Sequence, residues 1–372
     1  MSPLKISSSP NILGARREIV DLTICRALFA AWVFAYHVDL HAHFSGAAPV
    51  MRGYLGVDGF FILSGLILAC AHPELASSPR GAARFWVRRL ARIYPVHLAV
   101  ILLLCAVIGT GYALGLTPRD PGRFTLPSLV ENLLLIHGWG FASELAWNYP
   151  SWSISTEWAG YLLFPVLWFG IARLPGGLAA GLLALCLPVL GIADLRCHGL
   201  NLTFAWSLLR FFPEFIAGIA TARLLSVLAR PMLPEAVTGL GVLVILSALL
   251  LGPDVCAVVG LWAVLAGLAA RAAGARPGLL PLASPLRFLG QLSYAFYMSF
   301  GTVELFLAQL GRHRAWDPAA HKLAYAVSMT ALTFLLALSL HHLVEKPARA
   351  WIDRRFAGGK APVAFERNRL KL

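Results

Sequence analysis

Charge is what this sequence has least of. Only 13% of its 372 residues are Asp, Glu, Lys or Arg, while 58% are hydrophobic and the mean hydropathy is +0.72. A soluble domain carries roughly a quarter charged residues, so a water-soluble globular protein is excluded. Cysteine is scarce too: Cys25, Cys70, Cys105, Cys186, Cys197 and Cys256 are scattered, mostly inside apolar runs, with no Cys-x-x-Cys pair. They read as small hydrophobes, which argues against a disulfide framework or a thiolate metal site. No internal repeat stands out, and there is no His-Glu-x-x-His. The first 20 residues, MSPLKISSSPNILGARREIV, lack the apolar core of a cleavable signal peptide, so the first apolar segment is expected to act as targeting signal and to stay. Acidic residues are fewer than basic ones, 18 against 31, for a net charge of +13. No segment interleaves aromatic and basic residues as a recognition element would, so no nucleic-acid partner is expected. Basic loops flanking a membrane account for the charge.

What the chain has in abundance is apolar runs near 20 residues, the length a helix needs to cross about 30 Å of hydrocarbon. Hydropathy predicts about ten spans, near 22–44, 54–72, 85–109, 152–173, 177–193, 203–227, 236–252, 255–273, 287–311 and 322–343. An apolar piece at 129–136 is too short to cross and belongs at the interface or in a re-entrant segment. The expected fold is an all-α polytopic transmembrane bundle. With the N-terminus in the cytoplasm, 22 of the 31 Lys and Arg fall on the cytoplasmic side and 7 on the other, Arg26 and Arg210 lying within spans. The positive-inside rule then places both termini in the cytoplasm. The expected divisions are a cytoplasmic segment 1–20, one transmembrane domain 21–345 and a basic cytoplasmic tail 346–372. The longest outer segment, about 110–151, is a natural roof over an outward-facing site.

Ionisable groups inside a bilayer cost about 2.5–3.5 kcal/mol each on insertion scales, so each needs a reason. The first span reads CRALFAAWVFAYHVDLHAH. Arg26 and His37 are eleven residues apart, about 16 Å along the axis, and share one helix face. A snorkelling arginine and a hydrogen-bonded core histidine would explain them; so would a fixed charge at one end and a proton carrier at the other. The third span opens with ARFWVRRLARIYP, where Arg84, Arg88 and Arg92 recur every fourth residue and Arg89 stands three before Arg92. This is either a positive-inside anchor or a clamp for a polyanion such as coenzyme A, whose phosphates suit planar guanidinium groups. Glu157 opens a later span in NYPSWSISTEWAGYLLFP; it could pair with a buried cation or bind a hydroxyl-bearing acceptor. Arg210 and Glu214, four apart, are expected to neutralise each other. Glu304 has no obvious local partner. His37, Asp39, His41 and His43 form HVDLHAH, but without a recognised metal motif no metal is expected.

Four ordered stretches resemble the integral-membrane acyltransferase type 3 family, whose members acylate bacterial surface and exported glycans. They are Arg26 with His37; GVDGFFILSG with Asp58 and Ser64; RRLARIYP with Arg89 and Arg92; and PSWSISTEW followed by YLLFP, holding Glu157. Weaker echoes are LGQLSYAFYMSF and VEKPAR. One departure stands out: where the family often has a histidine after its SYxxY element, this chain has Phe300, so no catalytic role is assigned to the ninth span. The short chain beyond about 345 implies that the protein acylates its acceptor itself or with a separate protein.

The resemblance implies transfer of an acyl group, most simply acetyl, from acetyl-CoA or another acyl-CoA to a hydroxyl of a saccharide, which could be lipid-linked, at the bacterial cytoplasmic membrane. Arg88, Arg89 and Arg92 would hold the coenzyme's phosphates, with Arg26 complementing that charge or fixing the thioester arm between the first and third spans. His37 would be the general base, and Glu157 would orient it or bind the acceptor. Direct transfer is favoured over an acyl-enzyme, since no motif marks a nucleophile. The alternative is a transporter of a small anionic or sugar substrate, which the composition allows and the four ordered motifs disfavour. An intramembrane metalloprotease is the third reading.

Overall fold

The computed structural model describes residues 19–356, apart from positions 119, 143, 229–232, 280–282 and 315–316. The N-terminal segment and most of the basic tail therefore lie outside the described residues. Every regular element among the described residues is a helix. Ten are long: α1 Val20–Ala42, α2 Gly56–Ala71, α3 Ala82–Ala113, α4 Trp152–Ile171, α5 Gly176–Cys197, α6 Ser207–Val227, α7 Pro234–Leu251, α8 Asp254–Ala273, α9 Ala283–Arg314 and α10 Lys322–Leu340. They coincide with the ten expected spans to within a few residues. Among the described residues, seven helices are long and apolar enough to cross a bilayer: α1, α2, α3, α5, α7, α8 and α10. The remaining three are α4, α6 and α9, which carry Glu157, the Arg210–Glu214 pair of positions and Glu304. α4 and α6 are largely buried, so their polar groups face protein rather than lipid.

Small residues decide which helices touch. α2 lies against α6, α1 against α9, and α7 against α8. A β-carbon on Gly65 of α2 would run into the carbonyl oxygen of Phe215, and one on Gly218 of α6 into that of Ile62. One on Gly290 of α9 would strike the backbone of Thr23 in α1. Lipid tails are as apolar as leucine, so close backbone approach, not hydrophobic drive, holds such pairs together.

Between α3 and α4 runs a long connection carrying a short helix, Leu126–Leu133, where the sequence predicts an interfacial piece. Its end is set by Trp147, whose φ of 50° is the left-handed conformation that side chains rarely adopt. The indole N–H holds it there by donating to Ser128 Oγ at 3.1 Å. The amide of Asn148 then donates to the Met298 carbonyl of α9 at 3.3 Å. Tyr149 follows, and is buried between α1 and α9.

Candidate active site

A cavity of about 110 Å³ lies among α1, α2, α3, α4 and α9, and its lining includes Arg26, Ser64, Arg89, Arg92, Glu157 and Tyr161. Helical geometry selects these residues. Arg89, Arg92 and Ile93 are spaced three and four apart and share the face of α3 that meets the cavity. Arg88 is turned about 100° from Arg89, lies exposed with Arg84, and does not line it. Glu157 Oε1 accepts from Ser64 Oγ and from Tyr161 Oη, each at 2.6 Å. Arg89 Nη2 is 2.8 Å from His72 Nε2. The Nε–H groups of Arg26 and Arg89 are buried and find no hydrogen-bond acceptor among the described residues. An unpaired buried donor costs about 1–3 kcal/mol, more when charged. Three guanidinium groups against one carboxylate also leave the cavity electropositive. Arg349, from the VEKPAR stretch that continues α10, pairs with Glu345 and brings its charge within range of Arg26 and Arg89.

His37 is elsewhere. It sits toward the other end of α1, where Tyr149 Oη donates to Glu304 Oε2 at 2.6 Å and lies 3.1 Å from His37 Nδ1. The tyrosine has spent its proton on the carboxylate, so its oxygen accepts from His37 Nδ1–H. That hydrogen-bond pattern assigns the tautomer and leaves the lone pair on Nε2. Glu304 Oε2 is itself 3.6 Å from His37 Nδ1, and Oε1 is 2.9 Å from His41 Nε2. A carboxylate behind a histidine, through a tyrosine, orients the ring, which is the geometry a general base needs.

These contacts revise two expectations. Glu157 bonds to Ser64 and Tyr161 and does not orient His37; Glu304 holds that place. The ninth helix, to which the sequence assigns no catalytic role, therefore supplies the histidine's carboxylate. Phe300 packs its ring 4.7 Å from that of His37 and 5.5 Å from that of Tyr297, which lines the cavity. Arg26 and His37 thus share a helix face, but Arg26 lines the cavity while His37 lies beyond it, with the Tyr297 and Phe300 rings between them.

The expected Arg210–Glu214 pair is also replaced. Arg210 Nε donates to Asp58 Oδ1 at 2.9 Å, its Nη2 reaches Oδ2 of the same carboxylate, and both residues are fully buried. Neither oxygen of Glu214 meets a donor among the described residues. Asp58 wins because α2 crosses α6 at the Gly65–Gly218 contact, bringing a planar carboxylate square to the guanidinium fork. No cluster of three or more metal-ligating side chains occurs among the described residues. Of HVDLHAH, Asp39 instead accepts the backbone N–H groups of Ser45 and Gly46 at 2.9 and 3.0 Å, tying down the loop after α1.

Sequence reasoning missed Tyr149, Tyr161 and His72 and left Glu304 unexplained. Tyr149 and Glu304 are 155 positions apart in the chain, and only the bend at Trp147 and the close α1–α9 contact join them to His37.

Comparison with known proteins gives the chain its place. The acyltransferase domain of the type 3 family matches residues 19–342. Acyltransferase MdmB of Streptomyces mycarofaciens is 31% identical over 93% of this chain and 95% of its own length. The O-acetyltransferase OatA of Staphylococcus aureus is 26% identical over 41% of this chain, which is 25% of OatA. No solved structure matches. A match that runs from the start of α1 to the end of α10 takes in Arg26, His37, Arg89, Arg92, Glu157 and Glu304 alike, and the chain belongs to the acyltransferase type 3 family.

Proposed function

We propose that this acyltransferase is an O-acyltransferase of the bacterial cytoplasmic membrane. It moves an acyl group, most simply acetyl, from acyl-coenzyme A to a hydroxyl of a cell-surface or exported saccharide. The observation that carries the donor side is the pair of buried, unsatisfied Nε–H groups on Arg26 and Arg89, beside Arg92, in one electropositive cavity. An anion removes the penalty, and phosphate fits the planar fork. The phosphates lie against Arg26, Arg89 and Arg92, and the nucleotide extends toward the surface, where Arg349 adds charge and Arg88 is exposed. The name of the staphylococcal relative, an O-acetyltransferase, supports acetyl and a hydroxyl acceptor.

In this reading the arginine end faces the cytoplasm, where coenzyme A is found, with both termini on that side, and the His37 end faces outward. His37 Nε2 takes the acceptor's hydroxyl proton as that oxygen attacks the thioester carbonyl. The C–S bond breaks, and the imidazolium returns the proton to the departing sulfur. Tyr149 and Glu304 hold Nδ1–H throughout and stabilise the imidazolium. Glu157, held by Ser64 and Tyr161, keeps the cavity's cations from repelling one another. The acyl end has to pass the Tyr297 and Phe300 rings, so those rings turn aside during transfer. No metal takes part.

The test is mass spectrometry of surface and exported glycans from cells expressing wild type, His37→Ala, or Arg89→Ala with Arg92→Ala, at matched membrane levels. Ester-linked acyl groups are expected with wild type alone. Unchanged glycans with wild type, or full activity in His37→Ala, would overturn the reading.

A further inference from the structure

We infer that His72 and Glu74 are positioning residues that aim Arg89 at the donor's phosphates; the inference rests on the donor site just proposed. The chemistry permits only one arrangement. A guanidinium is a donor only, and it does not deprotonate in proteins. With Arg89 Nη2 at 2.8 Å, His72 Nε2 has to present its lone pair. The ring's single proton is then on Nδ1, which stands 3.0 Å from Glu74 Oε1. A carboxylate accepts, so the chain of bonds runs one way: Arg89 to His72, His72 to Glu74. The bond from His72 holds the Glu74 carboxyl below the usual range.

The histidine is itself fixed. It caps the end of α2, its carbonyl accepts the Trp168 indole N–H at 3.1 Å, and its ring stands edge-on to Phe85 at 5.1 Å. The Arg89 guanidinium lies 5.6 Å from the centre of the same Phe85 ring. Arg89 is therefore gripped on one side by an imidazole and on another by an aromatic face. Its Nε–H is left unspent in the cavity wall. Glu74 is 64% exposed while His72 is 13% exposed, so the pair reaches from the surface to the cavity lining. A lysine-like floppy cation would have to be ordered on binding, whereas this arginine is ordered beforehand.

A histidine that merely closes α2 would have the same neighbours, so the experiment has to separate the two roles. Coenzyme A is titrated by calorimetry into the full chain in lipid nanodiscs. Wild type, His72→Ala, His72→Gln, Glu74→Gln, Arg89→Ala and the Arg89→Ala/His72→Ala double variant are compared, each checked for thermal unfolding. His72→Ala is expected to weaken binding about tenfold, the scale of one charge-assisted hydrogen bond. His72→Gln, whose amide oxygen can accept from Arg89, is expected to restore it. Glu74→Gln weakens binding by less, in the same direction. In the Arg89→Ala background, His72→Ala has no further effect, because the group it positions is gone. Wild-type affinity in His72→Ala, failure of His72→Gln to rescue a folded protein, or multiplying effects of the two alanines each overturn the relay while Arg89 keeps its role. No binding by wild type removes the donor site and the relay together.

Discussion

Asp58→Ala is the substitution whose cost the structure fixes best. Arg210 is fully buried and spends its donors on four acceptors: both oxygens of Asp58, the Tyr54 carbonyl at 2.9 Å and the Leu202 carbonyl at 3.3 Å. Removing Asp58 leaves a guanidinium inside the bundle with two carbonyl contacts and no bonded counter-charge. Breaking a buried pair from one side costs about 3–5 kcal/mol, or a factor of roughly 10² to 4 × 10³ in the folded ratio at about 1.4 kcal/mol per tenfold. Asp58→Asn keeps the shape and one acceptor oxygen, and is expected to cost about 1–3 kcal/mol. Glu214→Gln is different, because neither Glu214 oxygen meets a donor among the described residues and a glutamine amide could donate to neighbouring Asp58. Its effect is expected within about 1 kcal/mol in either direction. Denaturant unfolding of the reconstituted protein, followed by tryptophan fluorescence, gives the order. If Asp58→Ala costs under about 1 kcal/mol, or Glu214→Gln costs more than Asp58→Asn, the partner of Arg210 is Glu214, as their spacing in sequence suggests.

The outer cluster makes its own predictions. Tyr149→Phe deletes the bridge between Glu304 and His37, and is expected to lower kcat about tenfold with coenzyme A affinity unchanged, as steady-state kinetics beside calorimetry would read. Glu304→Gln should fall further, toward the about 10²–10⁴-fold scale of losing a general base; wild-type turnover in both would remove the orienting role. Phe300→Leu keeps apolar bulk between Tyr297 and His37 but thins the partition, so kcat is expected to rise for acyl donors longer than acetyl relative to acetyl itself. An unchanged chain-length profile in the folded variant would show that the acyl group takes another route. Sidedness is open to a thiol test. Cys197 is exposed at the end of α5, near the Tyr54–Asp254 bond, and Tyr54 stacks edge-on to Tyr36 beside His37. A membrane-impermeant maleimide should therefore label it in spheroplasts; labelling confined to inverted vesicles would reverse the orientation.

Much of the scaffold is legible in the residues. Apolar runs carry their own length requirement, so hydropathy places all ten long helices. The candidate cavity is legible only in part: Arg26, Arg89 and Arg92 line it, but the every-fourth-residue stripe of Arg84, Arg88 and Arg92 is split, with Arg84 and Arg88 exposed. What periodicity cannot supply is which helices cross. That is settled by Gly65 against Gly218 and by Gly290 against Thr23, contacts between segments far apart in the chain. For the same reason Arg210 looked toward Glu214, four residues away, when its carboxylate is 152 positions off on α2. Arg88 does not line the cavity for a simpler reason: beside Arg89 in sequence, it is a quarter-turn and more away in space.

The buried arginines differ in how fully the protein satisfies them, although all sit in apolar helices. Their insertion costs are alike, so the sequence cannot rank them. What differs is the accounting of donors. Arg210 meets a carboxylate with two of its groups and backbone carbonyls with others, so the protein itself satisfies it and nothing else is asked of the site. Arg26 and Arg89 keep a buried Nε–H with no acceptor among the described residues, although Glu157 is near enough to act on both charges. Folding alone would favour removing that deficit, for example by letting Glu157 bond them directly. Instead Ser64 and Tyr161 both donate to one oxygen of Glu157 and hold it where it is. The histidines differ in a related way: in both His37 and His72 a carboxylate-linked contact fixes Nδ1–H, and in His72 the Nε2 lone pair is taken by Arg89 as well. An electropositive deficit at one end of α1 and a carboxylate-linked imidazole at the other are the two features that the proposed transfer from an anionic donor to a hydroxyl would use.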